Sequence, residues 1–440
     1  MKPIIRYFSG LRQLFKLDPG RRQRYLLQPH RNFIRNSPLT FQRTVCLINR
    51  LVRKSLAVVL ARFFHWNVFT DDTATKSAFS QRRKLIKPRF FQDFFAATVQ
   101  LFYRCFPDHL RWKGKRVFGV DGTGQGLPRF ERIGQAFGFH LNQHDRRPST
   151  RILATFDVLN KIIYRIDFHG QDTAEIVPAY QNVAGLPTDA IYIYDQHYAS
   201  FGLAWLHYRA GSDFVIRMPL GGANIVKEFV KSGAKEVITE AKIKQGRSYR
   251  KLCELGLEPE LHAEVPVRLV RVELDDGTIE VLMTSLLDRR KYLHAEFKDL
   301  YHLRWGIETS FLVLKSFLQL ALVSATTQPG VEQDLWASFA FFNQQSALVY
   351  AADEAVRQQT GHRQHEYRIN RNVTAGLLRD YLGRIYLGGP NEWRAKTLVL
   401  LKQFPKYTEA YRPNRDQERL RKHMRANDRH IHQKNYANTF

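Results

Sequence analysis

Through residues 1–110 the apolar positions recur at helical spacing, punctuated by Pro29, Pro38, Pro88 and Pro107, and alternating runs are few. The pattern predicts several short helices. Within it, residues 77–85 are basic, Pro88 follows, and residues 90–95 are an aromatic run, which reads as helix, turn and helix. From Arg116 the texture changes to short apolar runs that predict strands. Residues 117–120 lead into Asp121, residues 152–159 and 162–168 read as two strands joined by a tight turn, and residues 191–194 lead into Asp195. A helical stretch over Phe201–Ala210 precedes a further strand at residues 214–218.

Between residues 221 and 286, Val265, Val267 and Leu269 alternate on one face, and the turn Asp275, Asp276, Gly277 leads into a strand at 279–282, a hairpin signature. After Asp288 the helical spacing returns to about residue 385. The chain is therefore expected to divide into a helical domain (1–110), a mixed α/β domain in two parts (111–220 and 287–385), a β-rich segment between them (221–286) and an exposed C-terminal region (386–440).

Charge adds a partner to this picture. The 440 residues carry a formal charge of +27, beyond what solubility requires, which points to a polyanion, nucleic acid first. Residues 1–70 hold fourteen Lys and Arg against the single acid Asp18, so the first helical domain is expected to contact DNA. The 77–85 stretch would set basic side chains against phosphates, its plainer reading being a solvated helix face beside an aromatic core. The C-terminal region is basic too, with Arg412, Arg415, Arg419, Arg421, Lys422, Arg425, Arg429 and Lys434, and is a candidate for dimerisation or DNA contact.

Several classes are excluded. The apolar runs fall far short of the roughly 20 residues of a membrane span. Cys46, Cys105 and Cys253 are too widely spaced for a zinc knuckle and odd in number for a disulfide framework. Gly122, Gly124 and Gly126 resemble a nucleotide loop, but Pro128 and the lack of a following Lys-Ser or Lys-Thr pair argue against one. His140 and His144 stand four apart, yet the following Asp145, Arg146, Arg147 and Pro148 favour a loop over a metal-binding helix.

The segment from Tyr301 to Lys315 carries the chemistry. On one helix, Tyr301, Arg304, Glu308 and Lys315 form a polar stripe. A carboxylate flanked by two cations suits a metal-bound phosphodiester, the acid holding a divalent ion while Arg304 and Lys315 grip phosphates. The plain alternative is an exposed helix with ordinary ion pairs.

Tyr, two residues, Arg, three residues, Glu, six residues, Lys resembles the signature of the DDE transposases of bacterial insertion sequences, and the chain looks like the insertion-sequence-four family. Further landmarks agree: strands entering Asp121, Gly122, Thr123 and Asp195, the segment Asp213 to Arg217, and the hairpin-rich stretch before the helix. The resemblance implies an RNase H-like catalytic core with an all-β insertion, preceded by a helical end-recognition domain and followed by a helical C-terminal region. It implies that Asp121, Asp195 and Glu308 bind two catalytic Mg²⁺ ions, for which Mn²⁺ substitutes, and that Tyr301, Arg304, Lys315 and Arg217 contact DNA. It further implies a cut-and-paste transposase, acting on terminal inverted repeats and target DNA as a homodimer in the DNA complex, in the bacterial cytoplasm at the nucleoid.

The chemistry agrees with the donor set, because two divalent ions roughly 3.5–4 Å apart neutralise charge on the phosphate and align the nucleophile, and hard Mg²⁺ takes oxygen ligands. Asp121 is expected to bridge, with Asp195 and Glu308 completing the ions' shells. One departure stands out. After the second aspartate the family usually shows Arg, Gly and an aromatic, and here Gln196, His197 and Tyr198 follow. Trp305 is expected to pack in the core rather than to stack on an unpaired base. A structure-specific nuclease would share the acids without needing a basic end-recognition region, and an architectural DNA- or RNA-binding protein would explain the charge but not the acids.

Overall fold

The computed structural model describes residues 2–51, 55–65, 73–141, 146–316, 323–362 and 364–411. The basic tail from Arg412 to Lys434, and His144, lie outside the described residues. Two compact units emerge: residues 1–107 with 313–440, and residues 108–312.

The first unit is helical. Its N-terminal half contains α1 (Pro3–Phe15), α2 (Pro19–Arg22), α3 (Phe41–Asn49), α4 (Leu56–Phe63), α5 (Lys76–Lys84) and α6 (Arg89–Cys105). Helix α1 starts on a proline, needs no amide donor there, and buries Ile4, Tyr7, Phe8, Leu11 and Phe15 along one face. Helix α6 buries Phe90, Phe91, Phe94, Phe95 and Phe102 in the same way.

In the second unit the chain runs through β1 (Arg116–Gly126), α7 (Glu131–Phe137), β2 (Phe139–Leu141), β3 (Arg146–Asp157), β4 (Ile162–His169), α8 (Ile176–Asn182), β5 (Ala190–Tyr194), α9 (Phe201–Ala210) and β6 (Asp213–Met218). It continues with α10 (Asn224–Ser232), β7 (Glu236–Lys242), α11 (Arg247–Glu254), β8 (Glu264–Glu273), β9 (Ile279–Thr284), α12 (Glu296–His302) and α13 (Trp305–Ser316), within which the boundary between units falls. The helical unit resumes with α14 (Gln328–Thr360), the two-stranded pair β10 (Tyr367–Ile369) and β11 (Thr408–Ala410), α15 (Arg371–Leu387) and α16 (Pro390–Gln403).

The N-terminal and C-terminal helices therefore share a core instead of forming the separate regions that their places in the sequence suggest. Phe15 of α1 stacks on Tyr386 of α15 with ring centroids 4.1 Å apart, and Phe95 of α6 meets Trp336 of α14 at 5.3 Å. Each of these faces is too apolar to remain in water, and each finds its complement across the sequence. Among the described residues no helix is long and apolar enough to cross a membrane.

The sheet of the second unit runs β2-β3-β1-β5-β6-β9-β8-β7, with β4 also paired to β3. Strands β1, β5 and β6 are mutually parallel, and the remaining pairings are antiparallel. Strand β5 is buried at every position, as its unbroken apolar run requires of a central parallel strand. Tyr192, Tyr194 and Phe118 pack with α8 and α9 residues on one side of the sheet.

The expected all-β insertion is corrected. Residues 221–286 contain α10 and α11, and β9 pairs directly with β6, from Val215↔Thr284 to Met218↔Val281, so β7–β9 extend the main sheet. The edge of β6 is open to pairing, and Val281 and Met283 of β9 enter the same core as Phe214 and Ile216. The hairpin turn falls where expected, with Gly277 at φ +80, a left-handed conformation that suits glycine.

Candidate active site

Asp121 lies inside β1 rather than at its end. The strand continues to Gly126 because β3 pairs with it from Asp121↔Ala154 to Gly126↔Ser149. The parallel ladder between β1 and β5, however, ends at Val120↔Tyr194. The next residue on each side is an aspartate, so Asp121, within β1, and Asp195, just past the end of β5, stand at the end of one ladder, where the charge of Asp195 acts on Asp121.

Helix α13 brings the glutamate to that face. A Cβ on Gly119 would meet Ile307 Cγ2 at 3.5 Å and Val158 Cγ1 at 3.2 Å, so the bare backbone of β1 lets the start of α13 approach two residues before Asp121. Glu308 follows Ile307. The expected continuous helix from Tyr301 to Lys315 is broken, since α12 stops at His302 and α13 starts at Trp305. Across the break Arg304 donates its amide to Tyr301 and Ile307 donates to Arg304, both i to i+3 at 3.0 Å.

The electrostatics record the convergence. Burial, reinforced by the charges of Asp195 and Glu308, pushes the Asp121 carboxyl up to about 6, although the Gly122 amide and Arg304 act in the opposite direction. Gly122 donates its N–H to Asp121 Oδ1 at 2.8 Å. Asp195 caps the short turn Gln196–Tyr198 and is held twice by His197, whose backbone N–H reaches Oδ1 and whose ring Nδ1 lies 2.8 Å from Oδ2. That hydrogen bond raises the His197 pKa. Arg304 Nη1 lies 2.8 Å from Glu308 Oε1.

Tyr301 and Arg304 are 5% and 7% exposed, and the Tyr301 hydroxyl and Arg304 Nε are buried without a hydrogen-bond partner. Burial pushes the Tyr301 hydroxyl up to about 12, with Arg304, Glu280, Arg217 and Asp195 all close enough to act on it. Arg217 itself is 3.0 Å from Glu280. Lys315 is exposed in the last turn of α13, seven residues beyond Glu308. Trp305 is 54% exposed, which overturns the expectation that it fills the core. Ile307, two residues on, is the side chain of this turn that packs inward, against Gly119.

Sequence reading did not single out Glu175. Its carboxyl carbon would be 2.7 Å from a Cβ on Gly122, and it accepts from the Tyr198 hydroxyl at 3.4 Å. Because alternate residues of a strand face opposite sides, Gly122 and Glu175 lie behind β1 from Asp121. Nothing in the local pattern around Glu175 marks that placement.

The donor set fits a hard divalent cation. The carboxylates of Asp195, just past β5, and Glu308 of α13 both act on the desolvated Asp121 of β1, an all-oxygen donor set without sulfur. Among the described residues no three acids, histidines or cysteines already stand as a ligand cluster. Asp195 and Glu308 are instead turned toward donors of their own chain.

The family described as Transposase DDE domain matches residues 112–343. The chain is similar to the transposase InsG for insertion sequence element IS4 from Escherichia coli (strain K12), with 25% identity over 271 residues, 61% of this chain. The match spans 59% of that relative's length. Among solved structures, the piggyBac transposase synaptic complex with hairpin DNA aligns over 91% of this chain and 81% of that one, with a TM-score of 0.43 and 9% identity.

Proposed function

The chain belongs to the DDE-domain transposase family, and from that premise we propose that it cuts the ends of an insertion sequence at terminal inverted repeats and joins them to target DNA. The observation that carries this reading is that Asp121 and Asp195 follow directly on the last β1–β5 ladder pair, that Ile307, next to Glu308, packs on Gly119 of β1, and that the charges of Asp195 and Glu308 both act on the partly buried Asp121. We read β4-β3-β1-β5-β6 as an RNase H-like core, the helical unit as the source of end recognition, and a homodimer as the form on DNA. Location in the bacterial cytoplasm follows from the same reading.

In this proposal Asp121, Asp195 and Glu308 hold two Mg²⁺ ions, or Mn²⁺ in their place. When bound, the ions neutralise the scissile phosphate and raise the nucleophilicity of its attacker. The chain's own groups do the rest. The Tyr301 hydroxyl and Arg304 Nε, left without partners in the protein, supply donors to a phosphate oxygen. Lys315 and Arg217 contribute charge along the strand. His197 keeps the Asp195 carboxylate oriented by gripping both of its oxygens.

The test is strand cleavage on a plasmid carrying the flanking ends. Purified protein is expected to nick at the element ends in Mg²⁺ or Mn²⁺ and not in EDTA. End binding without cleavage under any divalent ion would refute the enzymatic reading. Affinity for the same DNA should fall with salt at a log-log slope of about −0.9 per phosphate contact. A slope near zero would mean that the +27 charge serves some other partner.

A further inference from the structure

Arg304 stands at the junction of two roles. Through Nη1 it is ion-paired with Glu308 at 2.8 Å, and its charge also acts on Asp121. Burial opposes the cation, but Tyr301, Glu308 and Asp121 outweigh that effect and hold it firmly charged. Its Nε edge meanwhile has no acceptor, and neither has the nearby Tyr301 hydroxyl.

A cation held against carboxylates lowers their attraction for a second cation, and it does so strongly where water is excluded. An anion accepted by the unpartnered Nε edge of the guanidinium removes that opposition. By thermodynamic reciprocity, whatever the anion adds to cation affinity the cation adds to anion affinity.

Taking the metal reading above as its basis, we propose that Arg304 is the resident counter-ion of Glu308 and Asp121 in DNA-free protein, and that a DNA phosphate accepted by Arg304 Nε and the Tyr301 hydroxyl ends that role. The site thus disfavours divalent ions until DNA arrives, and DNA and metal bind cooperatively. Such coupling limits metal-charged protein to DNA-bound protein.

The test is Mn²⁺ binding by the full chain, followed by electron paramagnetic resonance, with and without a duplex carrying the flanking element end. Wild type is expected to bind Mn²⁺ weakly alone and at least about tenfold more tightly with the duplex. Inorganic phosphate in place of the duplex should not reproduce the effect; equal tightening by phosphate would overturn DNA as the ligand. Arg304→Gln should tighten DNA-free Mn²⁺ binding by about tenfold and lose most of the duplex effect. Arg304→Lys retains the charge but lacks the second donor edge, so it should keep the weak DNA-free binding with a reduced duplex effect.

Equal or weaker DNA-free binding by Arg304→Gln would overturn the counter-ion role. So would equal tightening by Gln and Lys, which would trace the effect to loosened packing. Should the Gln variant not fold, tightened DNA-free binding by Arg304→Lys alone would have the same force. Asp121→Asn separates the underlying reading: if it binds Mn²⁺ as wild type does, the metal site itself is misplaced.

Discussion

Asp121→Asn is expected to abolish strand cleavage, by at least about a thousandfold, while making the catalytic unit more stable in EDTA at pH 7.5. The loss follows from removing a charged oxygen from the centre of the site. The gain follows from the same burial that makes the group useful. The Asp121 carboxyl is displaced from 3.8 to about 6, so the folded protein holds its proton more tightly than the unfolded chain does. Stability therefore falls as pH rises between those two values, and the ionised group costs on the order of 2–3 kcal/mol above about pH 6. Asparagine is neutral, close in shape, and still accepts the Gly122 N–H.

Denaturant titrations at pH 7.5 and pH 4.5 check this. The variant should exceed wild type at the higher pH, and the advantage should shrink at the lower, where the wild-type carboxyl carries its proton. Adding Mg²⁺ at pH 7.5 should narrow the gap too, since only wild type gains binding energy from the ion. A variant less stable than wild type at pH 7.5 in EDTA would show that Asp121 is not a strained charge, and retained cleavage would remove it from the site altogether.

The legibility of this site has a physical pattern. The strands that lead into the first two acids could be read because β5 is an unbroken apolar run and β1 begins with one, and burial leaves little choice of residue there. The spacing from Tyr301 to Lys315 was legible as well. What was not legible depends on partners distant in sequence. Gly122, Gly124 and Gly126 have low strand propensity, yet β3 pairs with all three and carries β1 past Asp121. The break at Leu303 and Arg304 replaces one helix by two, a small local cost set against the approach of Ile307 to Gly119. His197 looked like a departure from its relatives, and only geometry shows it gripping Asp195. The shared core of the two chain ends was hidden for a related reason: an amphipathic pattern says that a face will be covered, not by what.

The same limit governs the basic helix α5. Charge alone made residues 77–85 a candidate DNA-contacting face. In the fold, Arg83 points inward. Its guanidinium is 2.9 Å from Asp334 and also donates to Gln333, Ser324 and the carbonyl of Gly330, with Arg83 and Asp334 only 6% and 5% exposed. Arg83→Ala is therefore expected to destabilise the helical unit by about 3–5 kcal/mol, because it leaves a buried carboxylate with only the Ser324 donors. The double substitution Arg83→Met with Asp334→Leu should recover much of the loss, since no charge is then stranded. Lys84, exposed one residue later, provides the contrast: Lys84→Ala should leave the melting midpoint unchanged and lower the salt slope of DNA binding by about one. Thermal melts and salt titrations of the three variants decide between the roles. If Arg83→Ala melts like wild type and loses DNA affinity instead, the inward network is not what holds α5, and the whole basic face of that helix belongs to DNA.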